Sequence, residues 1–229
     1  MVEPAPRSAT DGLSFDELKM GNQIQCFETK QPDACFALGN LFAQVDKRED
    51  KAAKLYQYAC DTYKHAPSCY YLSNYFYYAR GNLYKDTKKF LEYGNLGCDY
   101  GNGDSCKALA GFFHPEHTNI PFAEESDFKM QDFNKTMKYF EKGCQNNSGK
   151  CCYEAGKVYL YGCEKFKFDK HPEKALAFNI KACERGERGG CFLAYHQYKD
   201  GEGVKANDRL AKLCLSKFEN MDIDVDLSR

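Results

Sequence analysis

The chain has 229 residues and a formal net charge of −1, with 32 lysines and arginines against 33 aspartates and glutamates. This balance argues against nucleic acid or an anionic membrane surface as a partner, since both attract strongly basic surfaces. No apolar run approaches the ~18 residues that a membrane-spanning helix needs, and the first residues lack the apolar stretch of a signal peptide. The chain has 13 cysteines, a number that indicates either metal or catalytic sites, or disulfides in an oxidising compartment.

The first predicted element is a weak amphipathic helix over residues 15–26, which ends at Cys26. We expect residues 1–13 before it to be disordered. From Cys35 onward two kinds of predicted helix alternate. A type A helix begins at a cysteine, and a type B helix ends at one.

The type A helices begin with the segments CFALGNLF, CYYLSNYF, CKALAGFF, CYEAGKVY and CFLAYHQY. The residue seven positions after the cysteine is always aromatic, and the residue four positions after it is small in all but the last helix. Positions 0, 3, 4 and 7 share one face of an α-helix, so this face is the predicted core side. A small residue at position 4 would let a neighbouring helix approach closely.

The type B helices are the segments KAAKLYQYAC, KFLEYGNLGC, KTMKYFEKGC and KALAFNIKAC. Each opens with a lysine, has a bulky apolar residue five positions before the cysteine, and has alanine or glycine directly before it. Polar turns separate each type A helix from the next type B helix. We expect Asp50 and Asp86 in two of these turns to act as N-caps.

The helix pair repeats along the chain, and successive type A cysteines are separated by 34 residues (35 to 69) up to 46 residues (106 to 152). This period predicts an all-α fold, a right-handed α-solenoid of about five helix-pair repeats that forms one domain over residues 14–220. The longest unit contains a predicted insertion loop over residues 114–129. The last type B helix has Phe218 in place of the cysteine, and we expect the acidic tail, residues 221–229, to be frayed.

Ten cysteines form pairs at the B-to-A junctions, where the two members of a pair would face each other at a separation of the Cα atoms near ~5.5 Å. The pairs are Cys26 with Cys35, Cys60 with Cys69, Cys98 with Cys106, Cys144 with Cys152, and Cys183 with Cys191. A bridge that closes a loop of roughly 10 residues would contribute about 2.5–3 kcal/mol. Structural zinc usually needs C-x2-4-C spacing, whereas the gap here is always seven or eight residues. The spacing therefore favours disulfides over zinc.

Three cysteines fall outside this pattern: Cys151, Cys163 and Cys214. The simplest interpretation is that they are unpaired structural or surface thiols. The alternative is a redox-active thiol or a haem ligand, since thiolates bind iron. Cys163 is the first candidate for that role, because its predicted position in an A-to-B turn would expose it.

The segments EKALAFNIKACERGERGGCFLA (Glu173–Ala194) and KDGEGVKAND (Lys199–Asp208) carry the pattern most clearly. They resemble the Sel1-like repeat, a relative of the tetratricopeptide repeat, and the resemblance covers about residues 25–220. Two cysteine-rich groups of this family share the paired cysteines: secreted bacterial proteins, and the mitochondrial cytochrome c oxidase assembly factor 7 group, also called respiratory chain assembly factor 1. The chain is more similar to the second group in size, repeat number and the long A-to-B insertion.

The resemblance implies a non-catalytic interaction scaffold that assists the assembly of mitochondrial respiratory chain complexes, cytochrome c oxidase foremost. The implied compartment is the intermembrane space, with secretion as the alternative, and the implied partners are complex subunits or assembly factors. The segment YYLSNYFYYARGNLY (Tyr70–Tyr84) offers the richest candidate contacts, because tyrosine combines apolar area with a polar tip. We expect partner contacts at Tyr71, Tyr75, Tyr78 and Tyr84, and Phe76 in the core, although ordinary packing between repeats would also explain such residues.

An enzyme or a redox or haem carrier is the competing hypothesis. The sequence contains no G-x-S-x-G, P-loop or C-x-x-C motif, so we expect no catalytic residues. The segment HPEH (114–117) superficially resembles half of a metal site, but Pro115 would break any helix there, and we expect no metal. Haem at Cys163, Cys151 or Cys214 is the only cofactor that the sequence leaves open.

Overall fold

The computed structural model describes residues 14–114, 127 and 129–221. Within these ranges it contains eleven α-helices and no β-strand. In chain order they are α1 (Phe15–Phe27), α2 (Pro32–Gln44), α3 (Glu49–Tyr63), α4 (Ala66–Tyr77), α5 (Thr87–Asp99), α6 (Gly103–Phe113), α7 (Phe133–Gln145), α8 (Gly149–Tyr161), α9 (Pro172–Glu184), α10 (Arg188–Asp200) and α11 (Asp208–Asn220). The predicted all-helical fold with alternating type B and type A helices is confirmed.

Three predictions concern residues that the structure does not describe. They are the predicted disorder of residues 1–13, most of the predicted insertion loop over 114–129, and the predicted fraying of the acidic tail, residues 221–229, of which only Met221 is described. In the part of the chain that the structure does describe, no helix has the length and apolar character to cross a membrane.

The chain divides into two compact units, residues 1–93 and 94–229, with the boundary inside α5. In the first unit α1 to α4 pack against their chain neighbours, and in the second α6 to α11 do the same. Helical repeats contact mainly the adjacent repeat, so their cores are built locally. The single solenoid domain over residues 14–220 that the sequence predicts stays a prediction.

Five disulfides join the end of each type B helix to the start of the following type A helix. Their Cα–Cα distances are 4.4 to 4.9 Å, within the usual range for disulfides. The bonded pairs are Cys26–Cys35, Cys60–Cys69, Cys98–Cys106, Cys144–Cys152 and Cys183–Cys191. The bridges fix the register of every helix pair, which is the disulfide-stapled repeat that the sequence predicts.

Side-chain caps begin several helices, and they test the predicted N-caps. Asp86 accepts a hydrogen bond from the Lys89 amide at 3.0 Å, as expected of an N-cap before α5. Asp50 does not cap α3, because that helix begins earlier, at Glu49. Asp50 instead lies in the first turn, where its carboxylate approaches the Arg48 guanidinium at 3.7 Å and interacts favourably with the helix dipole.

In three of the repeats, the three recurring positions meet in one stacked arrangement. In the first unit, the Lys89 ammonium lies 4.8 Å from the centroid of the Phe76 ring, and that ring stacks on Tyr93 at 5.7 Å with an interplanar angle of 7°. The second unit repeats this stack with Lys135, Phe113 and Tyr139, and again with Lys174, Tyr159 and Phe178. Each aromatic pair contributes about 0.5–1.5 kcal/mol beyond its buried area, and each cation–π contact about 0.5–1 kcal/mol.

The small residues at position 4 of the type A helices allow helices to approach closely, as the sequence predicts. A Cβ at Gly39 would lie 2.6 Å from the Tyr56 ring, and a Cβ at Gly156 would overlap the side-chain amide of Asn179. Ser73 and Ala110, at the equivalent positions, are completely buried.

We therefore predict that Gly156→Ala lowers the free energy of unfolding by about 1–3 kcal/mol, the usual cost of overpacking a core. Thermal or urea unfolding of the oxidised protein measures this effect. The matched control is Gly21→Ala in α1, where no atom beyond the adjacent residues and the helix's own backbone lies within 4 Å of the added methyl group. That change should leave stability unchanged or raise it by about 0.5–1 kcal/mol. Equal destabilisation by the two substitutions would contradict the role of position 4.

Candidate functional site

Four aromatic side chains of the first unit form a cluster, which we call the aromatic cluster: Phe36 on α2, Tyr56 on α3, and Tyr71 and Tyr75 on α4. The Phe36 and Tyr71 rings meet edge to face, with centroids 5.1 Å apart. Tyr56 lies 5.4 Å from Tyr71 and 5.5 Å from Tyr75. These distances are those of favourable aromatic pairs, so three helices are tied together at one point.

The aromatic cluster has a buried base and an exposed rim. Tyr56 and Tyr75 are only 1% exposed, whereas Tyr71 is 37% exposed. Burial raises the pKa of both Tyr56 and Tyr75, which keeps their hydroxyl groups neutral. Tyr56 donates a hydrogen bond to Asn40 Oδ1 at 2.7 Å, while the buried Tyr75 hydroxyl finds no hydrogen-bond partner among the described residues. Tyr71 is therefore the tyrosine of the cluster that a partner can reach.

Charged groups border the aromatic cluster. The Arg80 guanidinium lies 4.8 Å from the Tyr75 ring centroid and donates to Glu49 Oε1 through Nε at 3.1 Å. This hydrogen bond lowers the pKa of Glu49. On another border, His65 Nε2 lies 3.1 Å from the carboxylate of Asp33, whose side chain is 94% exposed. An aromatic centre with a polar border is the usual composition of a protein-binding surface.

The four predicted contact tyrosines are placed differently by the structure. Tyr71 is exposed within the aromatic cluster, and Tyr78 and Tyr84 are 39% and 91% exposed after the end of α4. The expectation for Tyr75 is corrected, because its ring packs against Tyr56 in the core and cannot contact a partner. Phe76, expected in the core, is 6% exposed.

Phe36 belongs to the aromatic cluster but is not among the contact residues that the sequence predicts. It is the residue directly after a type A cysteine, and four of the five type A helices carry an aromatic residue there. That recurrence is the sequence signal that could have identified it.

A cleft of about 380 Å³ in the second unit is lined by Asn146 and Arg185, and each of these side chains contacts a disulfide. Arg185 Nη1 donates to the Cys144 carbonyl at 2.6 Å and lies 2.6 Å from Cys152 Sγ. Asn146 Nδ2 donates to the Cys98 carbonyl at 2.6 Å and lies 3.4 Å from Cys106 Sγ. Each of these side chains comes from the turn two residues after the next type B cysteine. In this unit, a polar side chain of one repeat therefore covers the disulfide of the preceding repeat.

Comparison with curated proteins shows relatives along nearly the whole chain. This chain is 31% identical over 210 residues to cytochrome c oxidase assembly factor 7 of Xenopus tropicalis, a match that spans 90% of this chain and 87% of that protein. It is 32% identical over 201 residues to cytochrome c oxidase assembly factor 7A of Xenopus laevis, which spans 86% and 83% of the two chains. The chain belongs to the cytochrome c oxidase assembly factor 7 family.

The human member of the family is 24% identical over 207 residues, which cover 90% of this chain and 87% of the human protein. No protein-family model matches the chain. The family assignment therefore depends on these full-length relatives and agrees with the resemblance that the repeat pattern indicates.

Two solved structures share the fold. A Sel1 repeat protein from Oxalobacter formigenes aligns with a TM-score of 0.66 at 19% identity, over 90% of this chain and 55% of that one. A protective antigen of uropathogenic Escherichia coli with an SLR fold aligns with a TM-score of 0.55 at 17% identity, over 94% and 50%. The chain spans about half the length of each, and at these identities the likeness shows the Sel1-like repeat fold alone.

The three remaining thiols lie in three different environments. Cys151 is fully buried with its Sγ 3.5 Å from the Gly103 carbonyl, and burial raises its pKa. Cys214 is also buried with a raised pKa. Cys163 is half-buried rather than exposed as expected, because its backbone forms a two-bond bridge with Phe168 that turns the side chain against the core.

The fit of haem to these thiols can be tested by size. Cys214 lines a mainly apolar cavity of about 190 Å³, together with Ile180, Tyr198 and Leu210. Small-molecule and cofactor sites usually measure about 300–1,000 Å³, so this cavity does not fit a haem group. Cys151 is packed against backbone with no exposed surface. Haem at Cys163 stays a prediction.

Ser68, His65 and Asp33 form a hydrogen-bonded chain that resembles a hydrolase triad in composition only. His65 Nδ1 lies 2.7 Å from Ser68 Oγ, and Nε2 lies 3.1 Å from Asp33. A nucleophilic serine must reach solvent, but Ser68 is completely buried and the exposed member is the aspartate. The arrangement instead holds the start of α4 against α2.

The residues that the structure describes contain no cluster of three or more metal-ligating side chains. Glu116 and His117 of the HPEH segment lie outside the described residues.

The contact of Arg185 with the sulfurs predicts a specific effect on one disulfide. Arg185→Ala removes a charged hydrogen bond to the Cys144 carbonyl, which should lower the free energy of unfolding by about 1.5–3 kcal/mol. It also leaves the Cys144–Cys152 disulfide without the side chain that covers it. Under stepwise reduction, followed by alkylation and peptide mass mapping, that bridge should open earlier than in the unaltered protein. Lys150 lines the same cleft, and the control variant Lys150→Ala should not change the order in which the disulfides are reduced. An unchanged order in Arg185→Ala would contradict the covering role.

The burial of the thiols predicts the order in which they react. Iodoacetamide added to the folded, unreduced protein near neutral pH should alkylate Cys163 before Cys151 and Cys214. The thiolate is the reactive form, and raised pKa values leave less thiolate at the two buried positions. Alkylation at those positions should accelerate as the pH rises. Peptide mass mapping over time measures the order, and equal rates at Cys151 and Cys163 would contradict it.

Proposed function

We propose that this chain is a non-catalytic scaffold that assists the assembly of cytochrome c oxidase in mitochondria. The observation that carries the proposal is the relationship, at 31% identity over 90% of the chain, to a protein named cytochrome c oxidase assembly factor 7. A match over 90% of this chain and 87% of the relative extends far beyond a single recurrent motif. The function of an assembly factor is then the best inference for this chain.

The disulfides support the intermembrane space as the compartment. Ten of the 13 cysteines are paired, and disulfides persist in oxidising compartments, whereas cytosolic thiols are kept reduced. Secretion would satisfy the same chemistry. The kinship with oxidase assembly factors favours the mitochondrial compartment, because cytochrome c oxidase is assembled there.

The aromatic cluster supports the scaffold role. Tyr71 and Phe36 offer a large apolar area that is already held in place by the buried Tyr56, so little side-chain entropy is lost on binding. Rigid, partly exposed aromatic residues with a charged border are typical of the residues that contribute most to protein binding. The expected partners are subunits of the oxidase or other assembly factors.

The proposal is tested in cells from which the gene has been deleted, by measuring assembled cytochrome c oxidase on native gels. The unaltered chain should restore the oxidase. Tyr71→Ala should restore substantially less, since removal of such a contact costs about 1–2 kcal/mol of binding. Tyr161→Ala, which removes a 58% exposed tyrosine of α8, is the matched control and should restore it fully.

Two outcomes would contradict different parts of the proposal. Normal oxidase levels in the deleted cells would exclude a role in assembly. Full restoration by Tyr71→Ala, with the oxidase low in the deleted cells, would exclude the aromatic cluster as the binding surface. Thermal unfolding of both purified variants checks that neither result comes from a loss of folding.

A further inference from the structure

The outer face of α1 differs from that of the other type B helices. The relevant positions lie six and two residues before the type B cysteine and one residue after it. In α3 they hold Lys54, Tyr58 and Asp61, and in α7 they hold Lys138, Lys142 and Gln145. In α1 they hold Met20, Ile24 and Phe27, which we call the outer stripe. These side chains are 64%, 43% and 49% exposed, although each is large and apolar.

The outer stripe is a continuous surface. Its members are four and three residues apart, which places them on one side of a helix over about 10 Å. The surface continues onto α3, where the Tyr58 ring lies 5.6 Å from Phe27 and 5.6 Å from Tyr63. Contiguous exposed apolar residues of this kind mark interaction sites, whereas isolated ones are common on any protein.

Apart from the contact of Phe27 with Tyr58, the attachment of α1 to its own unit uses positions outside the outer stripe. The disulfide Cys26–Cys35 joins α1 to α2, and Cys26 is fully buried. The Lys19 ammonium lies 2.5 Å from Asp46 and 4.8 Å from the centroid of the Phe42 ring. These contacts hold the helix by other positions, so the exposed Met20 and Ile24 are not explained by packing within the unit.

Acidic side chains border the outer stripe. Asp16 and Glu17 lie in the first turn of α1, and Glu28 follows its last residue, and all three are exposed. Ser14 donates hydrogen bonds to the Glu17 carboxylate, which lowers the pKa of Glu17. The single lysine of α1 is engaged with Asp46. An apolar stripe between carboxylates complements a segment that carries apolar and cationic side chains.

We propose that the outer stripe is a docking site for an amphipathic helix of a partner protein, with apolar residues at the spacing of Met20, Ile24 and Phe27 and lysine or arginine on its borders. A helix fits because the site is a narrow ridge beside Tyr58, and two helices pack by interdigitating side chains at such ridges. The carboxylates select against an acidic helix, as like charges disfavour a wrong partner. This site shares no residue with the aromatic cluster, and it does not depend on the proposed function.

The probe is a synthetic 18-residue helical peptide with leucines along one face and lysines elsewhere, labelled with a fluorophore. Binding to the full, oxidised chain is followed by fluorescence anisotropy. We expect saturable binding that weakens with salt, and at least about tenfold weaker binding to Ile24→Asp, which places a charge in the apolar stripe. The control is Val45→Asp, which alters another apolar side chain, 55% exposed and outside the outer stripe. This variant should bind the peptide as tightly as the unaltered chain does. A peptide with glutamate in place of lysine should bind at least about tenfold more weakly.

The occupant is identified by a photo-cross-linker, p-benzoylphenylalanine, placed at the exposed Gln23. Cross-links to the lysine peptide support the proposal. Cross-links to residues 1–13 of the same chain, or to a second copy in the absence of peptide, would overturn it by showing that the chain covers the stripe itself. Equal binding of the lysine and glutamate peptides, or unchanged binding to Ile24→Asp, would also overturn it. Circular dichroism confirms that the Ile24→Asp chain is folded.

Discussion

The covalent bond between the end of each type B helix and the start of the next type A helix is the constraint on which the rest of the structure depends. Each disulfide fixes two helices in register at a separation of 4.4 to 4.9 Å between Cα atoms. With the register fixed, the aromatic residue seven positions after the cysteine meets the lysine and the bulky residue of the following type B helix. The stacks built around Phe76, Phe113 and Tyr159 are the result.

The same register separates the residues that build the fold from those that are left for binding. Positions 0, 3, 4 and 7 of the type A helices face the core, and this leaves Phe36 and Tyr71 partly exposed on α2 and α4. The outer positions of the type B helices carry mostly polar side chains, whereas on α1 all three are large and apolar. Binding surfaces are therefore found where an aromatic or apolar residue occupies a position that the repeat does not need for packing.

Periodicity made the fold predictable, because one helix pair recurs with the same cysteines, lysine and aromatic residue. It also identified Asp86 as a cap and Phe76 as a core residue. It failed where a neighbouring element decides the environment. Tyr75 is buried because Tyr56 of another helix covers it, and Cys163 is half-buried because a local bridge to Phe168 turns it inward. The contact of Arg185 with the sulfurs of the preceding repeat depends on how repeats stack, which spacing along one chain does not show.

The central claim is that ten cysteines are paired and three are free, and one mass measurement tests it directly. The oxidised protein is unfolded in guanidinium chloride without a reductant, alkylated, and weighed intact. We expect three alkyl groups, on Cys151, Cys163 and Cys214, and thirteen after full reduction. More than three groups on the unreduced protein, or any group mapped by peptide analysis to one of the ten paired positions, would contradict it.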